Sequence, residues 1–210
     1  LENIRHLIFS KLKEKIVEGA LEQFLKHGIR NMTIKKLVEP MGISTKTVYK
    51  YFKSKEDLLA ECLQQLYCGY HNEFVAVLST GDSPVNQLLI LFRAAMGKDF
   101  GVNQAFFHDL NYYYPELQNA AINRSGDSYG RLLIPLIQKG IDQGCFNAFI
   151  IPEVALKGIV LLYTSITRPE DKKRRSNPYE LFKNLVEVYL RGMCTEKGLK
   201  EIDNNPYHNH

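Results

Sequence analysis

The amino-acid sequence predicts an all-α fold, with a three-helix N-terminal domain followed by a larger helical C-terminal domain. Three observations predict it. Apolar residues recur at helical spacing along most of the 210 residues, and no convincing strand alternation appears. Helix punctuation (Ser or Thr at starts, Gly or Pro at breaks) separates the periodic segments. The charge is uneven: residues 1–60 hold 12 Lys and Arg against 7 Asp and Glu, and the other 150 hold 15 against 16. A basic end on a nearly neutral body points to a polyanion partner, with nucleic acid the first candidate.

Composition narrows the class further. With 45% hydrophobic and 24% charged residues, the chain reads as globular rather than disordered. Apolar stretches such as 158–163 fall far short of the roughly 18 residues of a membrane span. The opening "LENIRHLIF" lacks the long apolar segment of a secretory signal, so a cytoplasmic protein with no membrane partner is expected. Cys62, Cys68, Cys145 and Cys194 form no Cys-x-x-Cys pair, which argues against a zinc site or a disulfide framework. Buried thiols are the simpler reading.

The first helix is expected over about 10–27, with Leu12, Ile16, Ala20 and Phe24 on one stripe and Gly28 at its end. Thr33 begins a second, "TIKKLVEPMG", whose Ile34, Leu37, Val38 and Met41 share a face. Gly42 makes a turn, and Ser44 caps a third helix, "STKTVYKYF". A fourth opens at Ser54, with Asp57 three residues on as in a capping box, and continues to about 79. Further helical segments are expected at 84–98, 103–113, 115–143, 152–167 and 178–198. Gly126, Gly130 and Pro135 predict a bend in the long one. By this reading the domains are 1–56 and 57–198, with a loose polar tail over 199–210.

The third helix carries the chemistry. Val48, Tyr51 and Phe52 have the i, i+3, i+4 spacing of an inward face. Lys46, Thr47 and Lys50 fall together on the opposite face, flanked by Thr45 and Tyr49. Two short helices joined by a glycine turn, the second with a basic and hydroxylic outer face, form a helix-turn-helix suited to a major groove about 12 Å wide. Lysine donates to guanine edges, and threonine bonds a base or touches a thymine methyl. Backbone N–H groups near Thr33, Ser44 and Ser54 attract phosphates, with Lys55 in support. Tyr49 and Tyr51 hydroxyls are further phosphate candidates, although Tyr51 fits the core equally well. The simpler alternative is a solvated face with incidental lysines.

Residues 15–63 resemble the N-terminal domain of tetracycline-repressor-type (TetR family) transcriptional regulators. The resemblance rests on "A-x-x-x-F-x-x-x-G" (20–28), "T-I-x-x-L" (33–37) and "G-I-S-x-x-T-V-Y-x-Y-F-x-S-K-E-x-L" (42–58). Pro40 departs from it, standing where similar proteins carry a helix former, so the second helix is expected to end early or kink. The resemblance implies a dimeric repressor, not an enzyme, that binds a near-palindromic double-stranded DNA operator. It also implies a C-terminal body that binds a small effector and dimerises through its last two helices, with the switch running through the fourth helix. No cofactor or metal is implied.

The C-terminal sequence agrees in outline. Surplus apolar positions on 152–167 and 178–198 call for burial in a homodimer, with Leu162, Ile166, Leu181, Leu185, Val188 and Tyr189 as candidate interface residues. Aromatic-rich stretches suit a largely apolar effector. Its candidate contacts are Leu66, Tyr70, Phe92, Met96, Phe107, His108, Tyr112, Tyr129, Leu133 and Tyr163. Ordinary core packing is the competing reading for each. Two other functions compete with this reading. The pair His108-Asp109 raises a helical metal-dependent phosphohydrolase, although no further ligands stand at suitable spacing. The other is a constitutive helix-turn-helix protein with no effector. "KKRR" at 172–175 reads as a solvated loop before a second DNA contact.

Overall fold

The computed structural model describes residues 2–124, 129–167 and 178–204. In the N-terminal part, caps and tight turns satisfy the backbone groups that helix ends leave unpaired. Helix α1 (Glu2–His27) closes at Gly28, whose φ of +81° lies in the left-handed region that a Cβ disfavours. Helix α2 (Ile34–Val38) is capped by Thr33, whose hydroxyl accepts from the Lys36 amide at 3.3 Å. Pro40 has no N–H to extend it, so the chain tightens into a 3-10 turn over Glu39–Met41 and leaves through Gly42 at φ +66°.

Helix α3 (Thr45–Val48) is capped by Ser44, which accepts from the Thr47 amide at 3.1 Å. It is shorter than its sequence pattern. Lys50 and Tyr51 donate to the carbonyls of Thr47 and Val48, three residues back, at 3.2 and 2.9 Å, so the path goes on as tight turns to Phe52. Helix α4 (Lys55–Leu78) opens on the expected reciprocal cap: Ser54 Oγ accepts from the Asp57 amide at 3.1 Å, and Asp57 accepts from the Lys53 amide at 2.9 Å.

The helices that follow are α5 (Pro84–Gly101), α6 (Gln104–Tyr113), α7 (Pro115–Arg124), α8 (Tyr129–Asp142) and α9 (Pro152–Thr167). Of the segment expected over 115–143, α7 and α8 are described, and residues 125–128 lie outside the described ones. Pro135 stands inside α8. Beyond lie α10 (Pro178–Leu181), a widened π-helical stretch over Phe182–Glu187, α11 (Val188–Met193) and α12 (Glu196–Asp203). No strand occurs among the described residues, and only an isolated bridge joins Phe146 to Cys194.

The tail expected to be loose over 199–210 is ordered into α12 as far as Asp203. Thr195 caps that helix, Ile202 is fully buried, and Arg191 Nη2 reaches Asp203 Oδ1 at 2.8 Å. Leu199 and Ile202, three residues apart, give a mostly polar segment one apolar edge to dock.

Packing divides the chain into two units that differ from the expected split at 56/57. The first comprises Leu1–His71 with Val102–Gly126, and the second Asn72–Gly101 with Asp127–His210. Each has its own core. In the first, Ile16, Ala20 and Phe24 of α1 meet Leu37, Val48, Phe52, Leu59 and Leu63, and Phe106 and Leu110 of α6 join them. In the second, Leu88 and Phe92 of α5 pack with Leu136, Ile137, Ile159, Phe182 and Val186.

Candidate nucleic-acid interface

Helix α3 is held from beneath and displayed outward. Val48 is fully buried and Phe52 is 2% exposed, so the backbone between them is anchored in the first core. Tyr51 is half-buried, its ring 4.2 Å from that of Phe9. Tyr49 is 58% exposed, and Lys46 and Lys50 are exposed on either side of it. Thr45 and Thr47 are half-buried, and the Thr47 hydroxyl lies 2.9 Å from that of Ser44, which orients both. Thr33, Lys35 and Lys36 are exposed at the start of α2, as is Lys53 after α3. The surface therefore carries exposed lysines and an oriented hydroxyl pair over a packed apolar base.

Lys55 is placed differently from its sequence expectation as a phosphate contact. Its ammonium donates to the carbonyls of Ile29 and Met32, both at 3.2 Å, in a partly buried setting. Ile29 O also accepts from the Met32 amide at 3.3 Å, and the long lysine stem carries a further donor to this turn. Sequence reasoning also missed the side chains that hold this turn from the other side, Asn103 and Asp109. Asp109 was visible only as half of a His-Asp pair, and a partner some 80 positions away leaves no local signal.

The expected effector contacts divide between the units. In the first, Leu66, Tyr70 and Phe107 are half-buried against the core. The rings of His108 and Tyr112 stack 5.9 Å apart on the outer face of α6, and Tyr112 is 73% exposed. The reason is helical phase, since Phe106, Asp109 and Leu110 take the inward face. In the second unit, Phe92, Met96 and Leu133 are buried and Tyr163 is partly buried beside Phe92. The Tyr129 side chain lies outside the described residues.

Of the expected interface residues, Leu162, Leu181 and Tyr189 are half-buried, Leu185 is at the margin of exposure, and Val188 is 58% exposed. Val154 and Leu161 on α9 are exposed at 62% and 58%. The Ile166 side chain and the KKRR run lie outside the described residues. No group of three His, Cys, Asp or Glu able to hold a metal occurs among the described residues, and Asp109 Oδ2 is occupied by backbone amides.

A glycine turn joining two short capped helices, the second displaying lysines over a packed base, defines a helix-turn-helix protein. Residues 16–62 match the family model described as bacterial regulatory proteins, tetR family. The N-terminal domain is therefore of the tetR type over those residues, and the match stops short of the larger C-terminal part. A segment of 83 residues, 40% of this chain and 40% of the relative, is 26% identical to the transcriptional repressor KstR2 of Mycolicibacterium smegmatis. The alignments to curated relatives span 33% to 65% of those relatives' lengths. The fold is similar to a TetR/AcrR-family regulator from Thermobifida fusca, with TM-score 0.69 and 20% identity over 88% of this chain and 100% of that one. It is also similar to the fatty acid degradation regulator FadR of Bacillus halodurans, with TM-score 0.67 and 20% identity over 85% and 94% of the two chains.

Proposed function

We propose that the protein is a sequence-specific DNA-binding repressor that grips a near-palindromic operator as a homodimer and answers to a small, largely apolar effector. The observation that carries the DNA reading is the outward display of Lys46, Tyr49 and Lys50 on a backbone anchored by Val48 and Phe52. In this reading Lys46, Thr47 and Lys50 read base edges, while Thr33, Ser44, Thr45, Tyr49 and Tyr51 position the helix on phosphates. The exposed apolar positions Val154, Leu161, Leu185 and Val188 support pairing of two copies, since apolar surface of that kind is stabilised by burial. Two copies place two reading helices about one DNA turn apart, roughly 34 Å, which makes the operator a near-palindrome.

The apolar effector is supported by the aromatic and aliphatic character of Phe92, Met96, Leu133 and Tyr163 within the second unit and by the fatty-acid name of a structurally similar regulator. Effector binding lowers operator affinity by its preference for one tilt of α4 over another. Selection from a random-sequence duplex library tests the central claim. A recovered motif with two inverted half-sites is expected, and recovery of no preferred sequence refutes it. Light scattering on the purified protein tests the dimer, and a monomer at micromolar concentration refutes that part.

A further inference from the structure

Asp109 is a buried charged side chain, 7% exposed, on the inward face of α6 between the apolar Phe106 and Leu110. A buried carboxylate persists only where donors compensate its lost hydration. Here one oxygen, Oδ2, accepts from two consecutive amides, Ile29 N at 3.0 Å and Arg30 N at 2.8 Å. Those residues follow Gly28, whose left-handed φ of +81° turns successive N–H groups toward α6. The start of α6 grips the other side of the same joint. Asn103 donates its backbone N–H to Leu25 O at 2.8 Å and its side-chain amide to Lys26 O at 2.9 Å. Arg30 then lies over the Tyr113 ring, 4.2 Å from its centroid, and donates to the Tyr113 hydroxyl at 2.8 Å.

The held turn leads directly into Thr33, the cap of α2. Through Leu37 and Val38, α2 shares a core with Val48 and Phe52, the anchors of α3. All of these residues belong to the first packing unit. We infer that Asp109 is a positioning residue for DNA recognition: by fixing the amides of Ile29 and Arg30 it sets the entry angle of α2 and thereby the presentation of Lys46, Thr47 and Lys50. Because Asp109 stands on α6, any rotation of α6 acts on the reading helix through this carboxylate. The inference rests on the DNA-binding function proposed above.

The test compares the full-length protein with Asp109→Asn and Asp109→Ala, using the duplex that wild-type protein selects from a random library and an unrelated duplex of equal length. The selected-to-unrelated affinity ratio should fall about tenfold or more in Asp109→Ala, and less in Asp109→Asn, which keeps one acceptor oxygen. Binding to the unrelated duplex should stay near wild type. A loss of folded protein alone lowers both affinities together and leaves the ratio unchanged, and that result overturns the inference. Hydrogen exchange at the amides of Ile29 and Arg30 should quicken in both variants, and unchanged exchange also overturns it. If Asp109→Ala does not fold, Asn103→Ala, which removes the exposed bond to Lys26 O and the cap on the Ala105 amide, carries the test: a lowered ratio supports the inference and an unchanged ratio overturns it. Failure of wild-type protein to select any sequence refutes the DNA-binding proposal itself, so the two failures are distinct.

Discussion

Replacing Lys55 by Met separates two roles that the sequence does not distinguish, anchoring phosphate and closing a protein turn. The methionine keeps an unbranched stem of similar reach and removes the ammonium. In the structure that ammonium donates to Ile29 O and Met32 O at 3.2 Å each. A hydrogen bond from a charged donor contributes about 1.5–3 kcal/mol. Both bonds are at the long end of the usual range and partly open to water, which can replace part of what is lost. The expected destabilisation is therefore about 1.5–3 kcal/mol for the pair, not the sum of two full values. Urea unfolding followed by circular dichroism measures it, and hydrogen exchange over residues 29–37 assigns it to the first packing unit. The second assay is the salt dependence of DNA affinity, where each lost phosphate contact lowers the log–log slope by about 0.9. That slope should stay unchanged in Lys55→Met. Wild-type stability combined with a slope lowered by about one refutes the carbonyl-capping assignment.

Other expectations are equally direct. Lys46→Ala and Lys50→Ala should each weaken binding to the selected duplex by about 1–3 kcal/mol and relax preference at one base position, measured by repeating the selection with each variant. Phe52→Ala, which empties a site 2% exposed beneath α3, should destabilise the first unit by about 3–5 kcal/mol in the same urea titration. Burial, and next the Glu61 charge, push the Cys62 thiol well above its ordinary range, while burial pushes Cys194 up to about 12. At pH 8 both sit far below the pH at which thiolate forms, so iodoacetamide with mass spectrometry should label the half-buried Cys68 first. Raising the pH to 9.5 should leave Cys62 and Cys194 unlabelled in folded protein.

Much of the N-terminal architecture is legible because its signals are local. Thr33, Ser44 and Ser54 cap amides three residues away, Gly28 and Gly42 sit where the backbone turns left-handed, and Val48 with Phe52 repeats one helical turn. Pro40 ends α2 for a reason contained in its own ring. The apolar pattern continues past the end of α3, because periodicity reports which face is apolar and not whether the bonds run to i−4 or i−3. α12 leaves little trace in the sequence for a related reason: two apolar residues, Leu199 and Ile202, are too few to mark a helix without the surface that receives them.

The order of residues alone determined the helical class, the caps, the turn glycines and which side of α3 faces out, since all of these follow from groups within about one helical turn of each other. Tertiary structure decided what cannot be counted along the chain. It joined 102–126 to the N-terminal unit, brought Asp109 to the amides of Ile29 and Arg30, and drew Lys55 onto the carbonyls of the same turn. The physical reason is that a buried carboxylate and an ammonium satisfy whichever unpaired backbone groups packing brings within reach, and packing depends on the whole fold at once.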